Sequence, residues 1–487
     1  MMRLRSVKCE FAALAFALAT CAPVAHAAAA PTSYANPVTW PAMADPGVLY
    51  YRGEFYLYPT AGLAPVGVAR SFDLVNWEWM GDVLSHGTAG DWDAEDIWAP
   101  ETLYHNGTFY LYYTGTQDGS DETRRIGYAT ARSPLGPFTS RGPLLPAFTI
   151  DAHPFRDPAD GRFYLFYNGP MPRNLVDELA DPARLLRMPQ LVTEVTEPWE
   201  EIWNEAPWTI ERDGLYYNFF SAGCFCGPNY SVNYATSTAA HGAPWAKAPE
   251  NPILASTDWV GGPGHLSIVK GPGQIDDWAI YHGRETEPGT PIDARSSRVD
   301  RLFWNAGRPF FMPPTRQEAA LPDPGTFRDL FNRTDAEGLG AAWQVDPAGR
   351  WLLKARALSQ RLITPAPVHA LPAVAPTNDY VFDVFLRATT KQTGARVGVL
   401  AWYQDEANLV YAWLDRASNS LVVTGTVGGE PLEPHAAPLS SGTNLRVFHE
   451  LRVTKNESRF TFEVDRVRLA SVTIPVGAGI PGLATHG

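Results

Sequence analysis

The chain of 487 residues is too long for one ordinary core and points to at least two domains. Its net charge of -13 comes from acidic residues spread along the chain, which excludes a nucleic-acid or anionic-membrane surface built on clustered Lys and Arg and favours a neutral ligand. Aromatic residues at 12%, with 41 Gly, 43 Pro and few helix-like runs, mark a β-rich chain with many turns.

The first segment, residues 1–27, reads as a cleavable secretory signal: Arg3, Arg5 and Lys8, an apolar run from Phe11, then Ala25-His26-Ala27. The run is shorter than the about 20 residues that span a bilayer. Thr20 disfavours a lipoprotein signal ending at Cys21. The expected location is secreted or periplasmic, with no membrane partner. Once Cys9 and Cys21 leave with the signal, only Cys224 and Cys226 remain, too few for a zinc set and left to packing or a strained local bridge.

From Ala44 onward one pattern recurs. "ADPGVLYYRGEFYLYPT" starts at Ala44, "WAPETLYHNGTFYLYYTGT" at Trp98 and "DAHPFRDPADGRFYLFYNG" at Asp151; "NEAPWTIERDGLYYNFFSAG" follows at Asn204, and the looser "GHLSIVKGPGQIDDWAIYHGR" at Gly264. Each copy has a special residue near its start, an alternating strand, a turn and a second alternating strand. Turns such as Asn106-Gly107 and Asp213-Gly214 supply the positive φ angles of two-residue hairpins. Three copies continue into a further strand, "VGVARS", "RIGYATA" and "SVNYATS". A period of roughly 50 to 60 residues suits propeller blades, and five copies predict an all-β, five-bladed β-propeller over 33–315.

Blades are radial, so residues at one offset converge on the axis. That offset holds Asp45, the pair Trp98-Ala99, Asp151, Glu205 and His265. A single acid at a strand entrance is ordinarily a solvated charge; three at one repeat offset point to a functional site. Glycoside hydrolysis needs a proton donor and a carboxylate on the opposite face, and a third acid can hold the donor's pKa up. Asp45, Asp151 and Glu205 fit these roles, and composition does not decide which plays which.

The pieces "ADPGV", "WAPE", "DAHPFRDPADG", "NEAP", "GPGH", "ARSPLGPF" and "SFDLVNWE", spanning about Ala35 to Pro314, resemble glycoside hydrolase family 43, five-bladed enzymes acting on arabinose- and xylose-containing plant polysaccharides. The resemblance implies Asp45 as general base, Asp151 as pKa modulator and Glu205 as general acid of an inverting hydrolysis, with His265 helping to hold calcium or water. It also implies an arabinose- or xylose-containing saccharide as partner: exo-α-L-arabinofuranosidase first, then β-xylosidase or endo-arabinanase, then a non-catalytic carbohydrate-binding propeller. Ala206 stands where the family usually has Gly. Arg156-Asp157-Pro158 is similar to a motif of retaining fructan hydrolases, but Glu205 lacks the following Cys of that group, which leaves Asp157 to the hairpin.

Trp98 is a candidate for stacking on a sugar, with a bracing role between blades as the alternative. Arg295 and Arg298, in "DARSSRVDRLFW", resemble a late arginine stretch from which an Arg reaches the active site; a surface ion pair is the other reading. "DWDAED", residues 91–96, lacks a spaced calcium loop and reads as a solvated loop at the pocket rim. After "MPPTRQEAALPDPGTF" the repeat stops, and 325–487 alternates at period two, predicting a β-sandwich that resembles the concanavalin-like domain often joined to such propellers. It could bind carbohydrate, close over the pocket rim, or stabilise the propeller.

Overall fold

Arg52-Gly53, Asn106-Gly107 and Asp213-Gly214 all adopt positive φ at both positions, so each reverses the chain in two residues with a twist that matches its strands. These turns build a computed structural model that describes residues 32–486 apart from 41, 42, 171, 172, 288, 292, 293, 363, 365 and 391–393. The expected signal and Cys21 lie outside the described residues. The protein is almost entirely β, and among the described residues no helix is long and apolar enough to cross a membrane.

Five antiparallel sheets follow in chain order, each opening on an inner hairpin. Blade I runs from Gly47–Tyr51 to Trp77–Leu84, and blade II from Glu95–His105 to Thr139–Pro143. Blade III starts at Ile150–Arg156, and its third strand, Arg173–Asp181, pairs with both Arg184–Leu185 and Gln190–Glu194. Blade IV spans Asn204–Arg212 to Ala246–Lys247, and blade V Val260–Lys270 to Arg308–Phe310. Apolar side chains meet between every neighbouring pair: Leu49 with Leu111, Ile126 with Leu165, Phe166 with Tyr216, Phe219 with Ile268, and Ile280 with Phe55. The last cluster joins blade V to blade I and closes the ring.

Closure is reinforced from the N-terminal side. Ser33–Tyr34 pairs with Ala319–Ala320, and the Asn36 amide brackets Val299, donating to its O at 3.0 Å and accepting its N–H at 2.9 Å. The chain that enters blade I is thereby tied to blade V.

Beyond Trp343 two sheets face each other. One has the order Trp343–Val345, Val368–Pro372, Ile480–His486, Arg396–Asp405, Asn408–Asp415, Ser420–Val427; the other runs Tyr380–Leu386, His449–Asn456, Arg459–Val464, Val467–Thr473. Val399, Ala401 and Val410 meet Val453, Phe460 and Phe462 in a shared core, which makes this part a β-sandwich.

The sandwich touches the turn end of every inner hairpin. Phe385 packs on Tyr51 of blade I with ring centres 5.3 Å apart; Asn106 of blade II donates to Gly442 O at 3.1 Å; Pro158 O of blade III accepts from Arg468 N–H at 2.8 Å. Arg468 reaches Glu211 of blade IV at 3.2 Å, and Arg452 reaches Gln274 of blade V at 2.6 Å. Asp45 and the Arg52-Gly53 turn stand at opposite ends of their strand, on the order of 20 Å apart at about 3.3 Å per residue. The sandwich therefore covers the end of the axis away from the acids, and of the three roles open to it, closing the pocket rim is the one this placement removes.

Candidate active site

The inner strands of blades II to V are each broken near their start at a left-handed residue, and in blade I the equivalent residue stands just ahead of the strand. Asp45, Ala99, Asp151, Ala206 and His265 have φ of 51°, 44°, 58°, 52° and 50°. The ladder skips there: Trp98 pairs with Thr114 and Glu101 with Tyr112; Glu205 pairs with Ser221 and Trp208 with Phe219. A bulge of this kind re-aims side chains at a strand end. It also corrects the expected alignment. Glu205 precedes the left-handed residue of its blade and corresponds to Trp98, Ile150 and Gly264, whereas Asp45, Asp151 and His265 share the left-handed position itself.

Left-handed geometry at non-glycine residues is costly, and a polar ring around the axis holds it in place. Each bulge N–H is caught by a residue of the preceding blade: Ala99 by Thr60 Oγ1 at 2.8 Å, Asp151 by Thr114 Oγ1 at 3.3 Å, His265 by Ser221 Oγ at 2.8 Å, and Asp45 by His282 Nδ1 at 3.2 Å. In blade IV, Asn168 instead donates to Asn204 O, and Ala206 N–H goes to Asp151 Oδ2 at 3.0 Å. That bond seats the Asp151 carboxylate one residue from Glu205. Thr60, Thr114, Asn168, Ser221 and His282 all close the second strand of a repeat copy. Their signal in the sequence is a polar residue at one repeated place near the end of each copy.

Asp45 is held on both oxygens. Oδ1 lies 3.0 Å from Arg295 Nη1, 3.0 Å from His282 Nδ1 and 3.3 Å from His265 Nδ1, while Oδ2 accepts the Thr60 hydroxyl at 2.6 Å. Burial by itself would raise this carboxyl; the Arg295 guanidinium, foremost among its polar neighbours, brings it well below the usual range. Burial lowers both imidazoles, His282 to about 4, so Arg295 is the standing positive charge.

The other two acids shift the opposite way. Burial pushes Glu205 up to about 7, with Asp45 adding to the rise, while the Tyr230 hydroxyl donated to Oε1 at 2.7 Å and Arg295 partly oppose it. Asp151 is driven well above the normal range by burial, then by Glu205 and Asp45. Near neutral pH the cluster thus holds an ionised Asp45 beside a carboxyl that keeps its proton. Tyr230 reaches Glu205 because Gly264 leaves room: a Cβ there would stand 2.1 Å from the Tyr230 ring.

The remaining sequence candidates divide. Arg295 belongs to the cluster; Arg298 is fully buried elsewhere in blade V and pairs with Glu285. Trp98 is half-buried, with the Arg124 guanidinium 4.0 Å over its ring, leaving at most the other face for a sugar. His265 faces Asp45. Among the described residues no three His, Cys, Asp or Glu side chains gather into a metal set, and an imidazole beside an acid already paired with Arg295 does not supply the several oxygens calcium takes. Asp157 serves its hairpin as expected, accepting Ala159 N–H at 2.8 Å and the Tyr216 hydroxyl at 2.8 Å. The segment 91–96 is not wholly solvated, since buried Asp93 accepts from Tyr113 at 2.5 Å and Ser140 at 2.9 Å. Cys224 and Cys226 form a disulfide.

A five-bladed propeller with three acids of opposed ionisation at one end of its axis has the layout of a glycosidase. The model of glycosyl hydrolases family 43 matches residues 34–309, and the chain belongs to that family. It is 30% identical to a β-D-galactofuranosidase of Aspergillus niger over 56% of this chain and 83% of the relative. Other relatives bear the names of arabinanases, an exo-arabinofuranosidase and a xylosidase/arabinosidase. A thermostable family-43 glycoside hydrolase of known structure superimposes with a TM-score of 0.55 at 33% identity, covering 61% of this chain and all of that one. The family 43 protein BlXynB of Bacillus licheniformis, at 20% identity and TM-score 0.53, covers 93% of this chain and 98% of its own, showing the same propeller-plus-sandwich fold. The protein is therefore an enzyme that hydrolyses glycosidic bonds, with a carbohydrate substrate.

Proposed function

We propose that the protein is an exo-acting, inverting α-L-arabinofuranosidase that trims arabinose-containing plant polysaccharides. Asp45 takes a proton from water as the water oxygen bonds to the anomeric carbon; Glu205 gives its proton to the leaving oxygen as the glycosidic bond breaks. Asp151 is assigned to tuning the Glu205 pKa, seated beside the donor by the Ala206 N–H that its Oδ2 accepts at 3.0 Å, and Trp98 and Arg295 line the sugar site. The observation behind this reading is the split within one cluster, where Asp45 is depressed and Glu205 is raised to about 7, as a base and an acid working at one pH require.

The names of the relatives favour a five-membered sugar ring. A second reading, β-D-galactofuranoside hydrolysis, draws on the Aspergillus niger relative, because that sugar repeats the arabinofuranosyl ring configuration with a longer exocyclic arm. Export through a signal at 1–27 is also proposed, and the Cys224–Cys226 disulfide supports it, since such bonds persist in oxidising compartments. We place the propeller domain at 33–315 and the sandwich domain at 325–487.

Aryl α-L-arabinofuranoside, β-D-galactofuranoside and β-D-xyloside, beside arabinan, arabinoxylan and xylan, test the specificity. The expected result is free arabinose, with the β anomer formed first by NMR. Oligosaccharide products from arabinan would refute exo action, and a first-formed α anomer would refute inversion. Wild-type rates in Asp45→Asn or Glu205→Gln would sink the role assignments.

A further inference from the structure

The segment 223–230, between the second and third strands of blade IV, touches both sides of the acid cluster. At its end Tyr230 donates to Glu205. Near its start the Cys224–Cys226 bridge closes a small ring around Phe225. The Phe225 side chain is 39% exposed and lies outside the apolar core, with its ring centre 4.6 Å from the Arg295 guanidinium carbon. Arg295 in turn donates to Asp45 Oδ1.

The ring around Phe225 is clamped on its other side. Glu201 Oε2 accepts Cys224 N–H at 3.0 Å and Oε1 accepts the Asn229 amide at 2.8 Å, while Gly227 N–H bonds to Cys224 O at 2.8 Å and Arg284 donates to Phe225 O at 3.3 Å. Glu201 is four residues before Glu205 in the same chain segment, so one carboxylate ties this turn to the segment bearing the acid. A guanidinium against an aromatic face is attracted to it and shielded from water on that side. With one face covered by Phe225 and one amino group on Asp45, Arg295 loses its freedom to swing into solvent.

We propose that Phe225, fixed by the Cys224–Cys226 bridge and the Glu201 clamp, is a positioning residue of the active site that holds Arg295 against Asp45. The bridge is then part of the catalytic geometry: it spares Phe225 the entropy of being held in the open on a flexible loop. This rests on Asp45 being the base.

A double-mutant cycle between Phe225 and Arg295 tests it, read as kcat and KM on an aryl arabinofuranoside, or on whichever aryl glycoside the wild type cleaves. Phe225→Ala should lower kcat/KM roughly tenfold, mostly through kcat, with the melting temperature nearly unchanged. Phe225→Tyr should restore most of the rate, and the double variant Cys224→Ser/Cys226→Ser should lose activity in the same direction with Phe225 intact. In an Arg295→Ala background, Phe225→Ala should cost less than about twofold more. Full activity in Phe225→Ala, or an equal loss with and without Arg295, overturns the proposal. If Phe225→Ala does not fold, Phe225→Leu in the same cycle decides it. Wild-type activity in Asp45→Asn would instead refute the base assignment and leave the Phe225–Arg295 coupling measurable by itself.

Discussion

Tyr230→Phe isolates one hydrogen bond at the acid. The Tyr230 ring is stacked parallel to His282 with centres 5.5 Å apart, and Phe keeps that contact while losing the hydroxyl on Glu205 Oε1. A hydroxyl donated to a carboxylate stabilises its charged form, so its loss raises the Glu205 pKa above about 7. Hydrogen bonds to charged groups contribute about 1.5 to 3 kcal/mol, and one pH unit equals about 1.4 kcal/mol. With water or rearrangement replacing part of the bond, an upward shift of about one unit is expected. Activity needs Glu205 protonated, so the rate falls as pH rises through this pKa, and the falling limb should move to higher pH. The measurement is kcat/KM against pH on a phenyl glycoside, whose departure needs the proton. A limb that stays in place or moves to lower pH refutes Glu205 as the titrating donor.

Four further outcomes follow from the same geometry. Glu205→Gln should lower kcat on the phenyl substrate by roughly 10²- to 10⁴-fold and much less on a dinitrophenyl one, whose leaving group departs without a proton. Arg295→Ala removes the foremost group that depresses Asp45, so the rising limb of the pH profile should move to higher pH and kcat should fall. Thr60→Val deletes the donor to Asp45 and the acceptor for Ala99 N–H; a loss of about 1 to 3 kcal/mol in chemical denaturation, with reduced kcat, is expected. Phe385→Ala at the sandwich contact should lower the melting temperature by a few degrees and leave kcat unchanged, because it acts at the end of the axis away from the acids.

Much of the propeller was legible because its signals are local and repeated. Alternating apolar residues and Asn-Gly or Asp-Gly turns act within a few residues, and five copies of the same arrangement outweigh the ambiguity of any one. The polar ring was present in the same copies, yet Thr60, Thr114, Asn168, Ser221 and His282 are ordinary residues at strand ends. Their common task is visible only when each is seen to catch the bulge N–H or to border the bulge of the next blade. The offset of Glu205 differs by one residue from what sequence spacing predicts for a related reason: a bulge changes which side chains share a face, and spacing does not mark it. Phe225 and Tyr230 lay beyond reach, since neither repeats in the other copies.

By itself the sequence determined the strands, their number of repeats and the three acids, because period-two patterning and turn chemistry are properties of neighbouring residues. Only the tertiary structure decided which carboxyl is ionised. That depends on burial and on partners such as Arg295, 250 positions away from Asp45 in the chain and 3.0 Å away in space. It likewise decided that the sandwich seals the end of the axis opposite the acids, because contacts between Phe385, Arg468 or Arg452 and the hairpin turns arise from shape and charge that meet only when both parts have folded.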